Sequence, residues 1–296
     1  MHAKPPVIRN GDAPGHFRRF AAIDWSGAKG SRHRNIAVAI CDSGEAAPRL
    51  IEPERPWSRT GVLAWLVETS KEVPTLYGFD FSHAPPIMER GAYLPGEKDP
   101  PDNAKDFWAY VDRLCDDEDL GAASFLEKHH RRHFYFGASD GVKADFLHHR
   151  VCEHAFNAIG GGKASTVYDA IGASQVAKAS YAGMRLLHRL NGKLPVWPMD
   201  PVPAEGSLVV EIYTRVFILL AGLKGGKVRS REVLNRALDA LGSRPAELAR
   251  EPDDHATDAL IASAGLRAIA EDPRYWRPKA LTRKIARSEG WTFGIS

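Results

Sequence analysis

The apolar positions of this chain change their period in a definite order. FAAID (20–24), RNIAVAICD (34–42) and APRLIEPE (47–54) are short apolar runs bounded by turn residues, the pattern of buried strands. The turn-rich DSGEAAP between the last two predicts a hairpin. The period then lengthens: in RTGVLAWLVETSKE (59–72), Val62, Leu63, Leu66 and Val67 recur at helical spacing, with Thr60 the expected N-cap. PTLYGFDFS (74–82) returns to a buried strand. Strand, strand, strand, helix, strand implies a right-handed crossover that lays the fourth strand parallel to an earlier one.

From about 83 to 205 that rhythm breaks. Pro-rich turns (HAPP, LPGEKDPPDN) precede a helical piece, NAKDFWAYVDRLCDD. A His/Arg cluster (EKHHRRH), a glycine turn (IGGGKAS) and a second helix (QVAKASYAGMRLLHRLNG) follow. The stretch reads as an insertion packed on the main sheet. GSLVVEIYTRVFILL (206–220) then begins as a buried strand, and REPDDHATDALIASAGLRAIAED (250–272) is an amphipathic helix. Pro252 and the adjacent aspartates mark its start, with Asp254 the expected cap. The first 18 residues, rich in Pro, Gly and polar groups, predict a loose arm ahead of one domain over 19–296.

The chemistry sits where the strands end. Asp24, Asp80 and Glu211 each lie within or just after an apolar run, and ligands of open parallel sheets gather at the carboxyl ends of strands. On the late helix, His255 and Asp258 are three residues apart and share a face. If that face meets the sheet, four acids and a histidine converge. Clustered carboxylates repel one another; a divalent cation resolves this, and hard oxygen ligands favour Mg2+ or Mn2+. Each acid also has a plainer reading. Asp24 before Ser26-Gly27 and Asp80 before Phe81-Ser82 could bond turn amides, and Glu211, inside LVVEIY, could have a buried arginine partner. His255 could be a ligand, a general acid or base, or an exposed helix residue.

Composition narrows the class without choosing the function. The chain has 296 residues, 44% of them hydrophobic, enough for a sizeable core. A net charge of +3 is too small to argue for nucleic acid by itself. Cys41, Cys115 and Cys152 form no CxxC pair and fit a reducing cytoplasm. No apolar run has transmembrane length. The expected setting is therefore cytoplasmic, with no membrane partner.

Taken together, AIDWSGAKG, YGFDFS, IGASQVAKASYAGMRLL, PVWPMD, VVEIYTRVF and DDHATDAL resemble domain-of-unknown-function family number 429, a group of predicted ribonuclease H-like nucleases. HATDAL (255–260) resembles the terminal-helix motif of RuvC-type resolvases, where an acid or His three residues before the final Asp completes a metal site. The resemblance runs from about residue 19 to 270. It implies an α/β ribonuclease H-like fold, with a mixed, mostly parallel central sheet flanked by helices and a large insertion between the fourth and fifth strands. It also implies Asp24, Asp80, Glu211 and Asp258 as the metal-binding set. Two departures stand out. Thr214 replaces an expected proline, a change expected to leave metal binding unaffected, and HHRVCE only loosely matches an Arg-Thr-Glu-like segment, which leaves Arg150 and Glu153 without an assigned role.

A nuclease needs phosphate contacts. Lys29, Lys163, Arg131 and Arg132 are the candidates, with a second basic run, RPKALTRKIARSEG, at 277–290. GGGKAS lacks the full spacing of a phosphate-binding loop. Trp25, Trp65 and Trp197 are assigned to packing. The reading that results is a Mg2+- or Mn2+-dependent nuclease acting on DNA or RNA by a two-metal mechanism, with His255 assisting. Two alternatives remain: a kinase or ATPase of the actin-like and sugar-kinase superfamily, which needs a duplicated domain, and a non-catalytic binding protein. A homo-oligomer is compatible with the sequence, which has no feature requiring one.

Overall fold

The computed structural model describes residues 13–172, 176–223 and 228–296. Its framework is a five-stranded sheet in the order β3-β2-β1-β4-β5, formed by β1 (Arg19–Asp24), β2 (Ala37–Asp42), β3 (Arg49–Leu50), β4 (Thr75–Asp80) and β5 (Leu208–Glu211). β1 pairs antiparallel with β2, and β2 with β3, whereas β1–β4 and β4–β5 are parallel. Thus β2 alone runs against the other four strands, and the pairings divide evenly rather than being mostly parallel. The expected hairpin is β2–β3. Its outer strand is only two residues long, flanked by Pro48 and Pro53, which cannot donate to a ladder.

The helix α1 (Arg59–Thr69) joins the hairpin to β4, as its apolar spacing predicts. Its cap differs from the expectation: Ser58 accepts from the Gly61 amide at 2.9 Å, while the Thr60 hydroxyl donates to Asp119 at 2.8 Å. Between β4 and β5 lie α2 (Ala104–Leu114), α3 (Val151–Ala158), α4 (Ala177–Leu190) and a series of short turns. After β5 come α5 (Thr214–Leu220), α6 (Arg231–Ala240), α7 (Asp254–Ile269), α8 (Pro273–Trp276) and α9 (Arg283–Ser288). Asp253 caps α7 by accepting from the Ala256 amide at 2.8 Å; Asp254, the expected cap, instead pairs with Arg229. Among the described residues, no helix is long and apolar enough to cross a membrane. Residues 1–12 of the expected arm and 175, the first residue of the expected QVAKAS helix, lie outside the described residues. Phe17 is buried and stacks on Trp276, so the described end of the arm is tied to the core.

Strand alternation sorts the core into two layers. Ile23, Tyr77, Phe79 and Val209 face one layer with residues of α1, α2 and α4. Phe20, Ala22, Leu76, Leu208 and Val210 face the other, with α7 and the C-terminal Trp291 and Phe293. Trp25 and Trp197 are buried and Trp65 packs against the first layer, as assigned.

The turn after β1 is held by contact with α4. A side chain at Gly27 would overlap the Ala179 nitrogen and the Lys178 carbonyl carbon, backbone atoms of the first turn of α4. Backbone cannot rotate away as a side-chain tip can. We therefore expect Gly27→Ala to lower the unfolding free energy by about 1–3 kcal/mol, measured by urea denaturation. A neutral result would mean that α4 is not seated on this turn.

Candidate metal centre

Asp24 and Asp80 are the last residues of adjacent parallel strands and stand opposite each other in register. Paired positions share a face, and the face these two share is the one covered by α7. α7 is not the amphipathic helix its sequence predicts: its residues are buried without interruption from Ala259 to Leu266, against β1, β2 and α5, and its first turns carry His255 and Asp258 to the strand ends. His255 Nδ1 lies 2.5 Å from Asp24 Oδ2. Asp80 feels both neighbouring acids. Burial pushes its carboxyl up to about 8, and the charges of Asp24 and then Asp258 push the same way, against a hydrogen bond from Thr214. The Thr214 hydroxyl donates to Asp80 Oδ2 at 2.9 Å. The Thr214 change, expected to leave metal binding unaffected, thus places a hydroxyl donor on a candidate ligand.

Glu211 requires a larger correction. It pairs with Phe79, one position short of Asp80, so its side chain emerges on the opposite face of the sheet. There it is fully engaged. Oε2 accepts from Arg150 Nη1 and from the His83 amide, both at 2.7 Å; Oε1 accepts from Arg150 Nη2 and the Thr292 hydroxyl, both at 2.5 Å. Burial acts to raise its pKa, but the Arg150 guanidinium outweighs it and holds the carboxyl below the usual glutamate range. The buried arginine partner, the plainer of the two readings, is what the structure contains.

Arg150 is the hub of a network that the sequence did not reveal. Its Nε donates to Glu153 Oε1 at 2.9 Å, and Glu153 Oε2 accepts from the Arg150 amide at 2.7 Å, closing the first turn of α3. Nη1 also reaches the Glu289 carbonyl at 3.1 Å. The Glu289 carboxylate, itself buried, accepts from the amides of Ile87, Met88 and Val151 at 2.8–2.9 Å. The i,i+3 spacing of Arg150 and Glu153 was a signal; nothing in the pattern around Glu289 was.

Asp24 and Asp80 of the first set and Arg150, Glu153 and Glu211 of the second line one cavity of about 250 Å³ at the carboxyl ends of the strands, which Trp25 and Tyr213 also wall. A wider groove of about 960 Å³, lined by Arg34, Glu52, Arg55, Arg250, Asp253 and His255, reaches the same histidine from the β3 side. The expected phosphate contacts lie elsewhere. Lys29 pairs with Glu127, Arg131 with Asp140, and Arg132 with Glu97. Lys163 is exposed beside Ala164, and none of the four is among the described residues lining the cavity. Lys29, Arg131 and Arg132 thus each have an acid folded against them. Compared with protein-family models, curated proteins and solved structures, the chain matches none.

Proposed function

We propose that this protein is a divalent-metal-dependent nuclease of ribonuclease H-like type, with Asp24, Asp80 and Asp258 as metal ligands and His255 beside them. One observation carries the reading: Asp24 and Asp80 pair in register at the ends of parallel strands, with His255 of α7 bonded to Asp24. The order of three strands, helix, acid-bearing strand and late acid-bearing helix supports it, and the segment between β4 and β5 then serves as the insertion. The donor set fits Mg2+ or Mn2+, since it consists of carboxylate oxygens, one of which, on Asp80, has its pKa raised by burial and by the charges of Asp24 and Asp258. Such a cation supplies Lewis-acid activation of water and stabilises the departing oxygen of a phosphodiester. Thr214 fixes one oxygen of Asp80, and Asp24 orients the His255 ring through Nδ1. The ring also lines the groove, where it can exchange a proton with a bound strand. Glu211 does not ligate in this scheme; with Arg150 it holds the wall of the cavity.

The test is calorimetric titration of the protein with manganese beside Asp24→Asn, followed by cleavage assays on single-stranded, duplex and branched DNA and RNA. The expected result is binding by the wild type, lost at least about 100-fold in the variant as for removal of a ligand, and metal-dependent cleavage. Equal binding by both proteins, or none at millimolar manganese, removes the basis for the reading and leaves the non-catalytic alternative.

A further inference from the structure

The cluster read from sequence as a phosphate contact has a different geometry. Glu97, from the loop after β4, meets His130, which precedes the single tight turn Arg131–His133, and His133, which ends it. Glu97 Oε1 is 2.9 Å from His133 Nε2 and 3.6 Å from His130 Nδ1, and the three atoms lie within 4.8 Å of one another. Ligand atoms around a tetrahedral zinc stand about 3.3 Å apart, given its bond lengths of about 2.0–2.2 Å. The three edges therefore bracket a zinc-sized hole.

A second observation points to a ligand. His130 is 5% exposed, and its Nδ1 is buried with no hydrogen-bond partner, although it faces the Glu97 oxygen at 3.6 Å. That gap is too long for a hydrogen bond and suits an intervening ion. The other nitrogen, Nε2, is 2.9 Å from the Tyr110 hydroxyl. A ligating histidine commonly has this arrangement, one nitrogen on an outer partner and the other aimed at the metal. Burial also lowers the pKa of both imidazoles and so favours the neutral form that ligates.

We propose that Glu97, His130 and His133 form a binding site for a zinc-type transition cation, with water in the fourth position. The site shares no residue with the carboxylates at the strand ends, and its mixed nitrogen and oxygen donors select a softer ion than Mg2+. One group competes for it. Arg132 donates to Glu97 Oε1 through Nε at 3.0 Å and lies 2.7 Å away through Nη2; its Nε is also 3.4 Å from His133 Nε2. The Arg132 side chain is 59% exposed, so it can release the carboxylate to solvent when the cation enters. The bound ion would fasten the loop at Glu97 to the segment carrying His130.

Zinc alone is the probe, added to metal-free protein and followed by calorimetry and thermal unfolding. The expected result is one site per chain that raises Tm and takes Co2+ with a tetrahedral ligand-field spectrum. Glu97→Gln and His130→Asn are each expected to weaken zinc at least about 100-fold, and Tyr110→Phe about 10-fold. Arg132→Ala is expected to tighten it, which a merely structural ion pair would not do. Because Glu97 is partly exposed, its variant keeps the test valid should His130→Asn fail to fold. Asp24→Asn serves as the control and retains the zinc site. Zinc affinity unchanged in Glu97→Gln, or no zinc binding by the wild type and Arg132→Ala alike, overturns the proposal.

Discussion

Arg150→Met is expected to lower the unfolding free energy by about 3–5 kcal/mol, the cost of removing one member of a buried ion pair. For a chain of this size that is roughly 10 °C in Tm. The magnitude follows from what the guanidinium leaves behind. Glu211 and Glu153 are both buried, and Arg150 donates to each of them. Without it, two buried carboxylates are left close together with no cation between them, and one of them must take up a proton. The damage also spreads along the chain, because the same side chain reaches the Glu289 carbonyl and Ser82, joining α3, β5, the loop after β4 and the C-terminal segment. The double variant Arg150→Met with Glu211→Leu is expected to recover part of the loss, since it removes the stranded charge. Chemical denaturation of the four proteins of that cycle gives the coupling. A loss below about 1 kcal/mol for Arg150→Met, the range of exposed pairs, would mean that the network is solvated and that Glu211 is available for other work.

That outcome matters for the metal centre, because the sequence alone had placed Glu211 among the ligands. Asp24 and Asp80 were legible: each closes an apolar run, and the strand-helix-strand order makes their strands parallel. What was not legible is register. Side chains alternate with a period of two, so a single position decides the face, and Glu211 stands opposite Phe79 rather than Asp80. No local pattern in LVVEIY contains that offset, which is set by how β5 docks on β4. His255 and Asp258 were legible as a shared face of α7, but whether that face met the sheet depended on packing. The ion pairs of Arg131 and Arg132 were not legible for a related reason. A charge run shows its own sign and not the acids folded against it, here Asp140 and Glu97. The cap of α7 moved by one residue, from Asp254 to Asp253, because consecutive aspartates offer the same chemistry and only the backbone geometry separates them.

Asp80→Asn is expected to stabilise the metal-free protein while abolishing its response to metal. The folded Asp80 carboxyl holds its proton to about pH 8, against an ordinary value of 3.8, because it is buried and faces Asp24 and Asp258. A group that binds its proton more tightly folded than unfolded favours the folded state least where both forms are ionised. Its contribution is intact below about pH 4 and declines as pH rises until the folded group ionises near 8. Each unit of that interval corresponds to about 1.4 kcal/mol. Water entering through the cavity screens part of it, so between about pH 5 and pH 9 the wild type in chelator should lose about 2–4 kcal/mol relative to the variant. The asparagine carries no charge, and its carbonyl still accepts from the Thr214 hydroxyl. Added manganese should then reverse the order. At about 100 times its dissociation constant a cation stabilises the wild type by about 2.7 kcal/mol, and the variant, lacking one ligand, should gain little. Thermal unfolding across pH, with and without manganese, reads both effects in the same samples. Parallel pH profiles for the two proteins would show that Asp80 is not held protonated by its neighbours. A manganese shift of equal size in both would place the cation elsewhere. Both halves of the expected crossing come from one group, the Asp80 carboxyl, which is desolvated at the strand end and set against Asp24 and Asp258 by strand register and α7, at a stability cost that a bound cation removes.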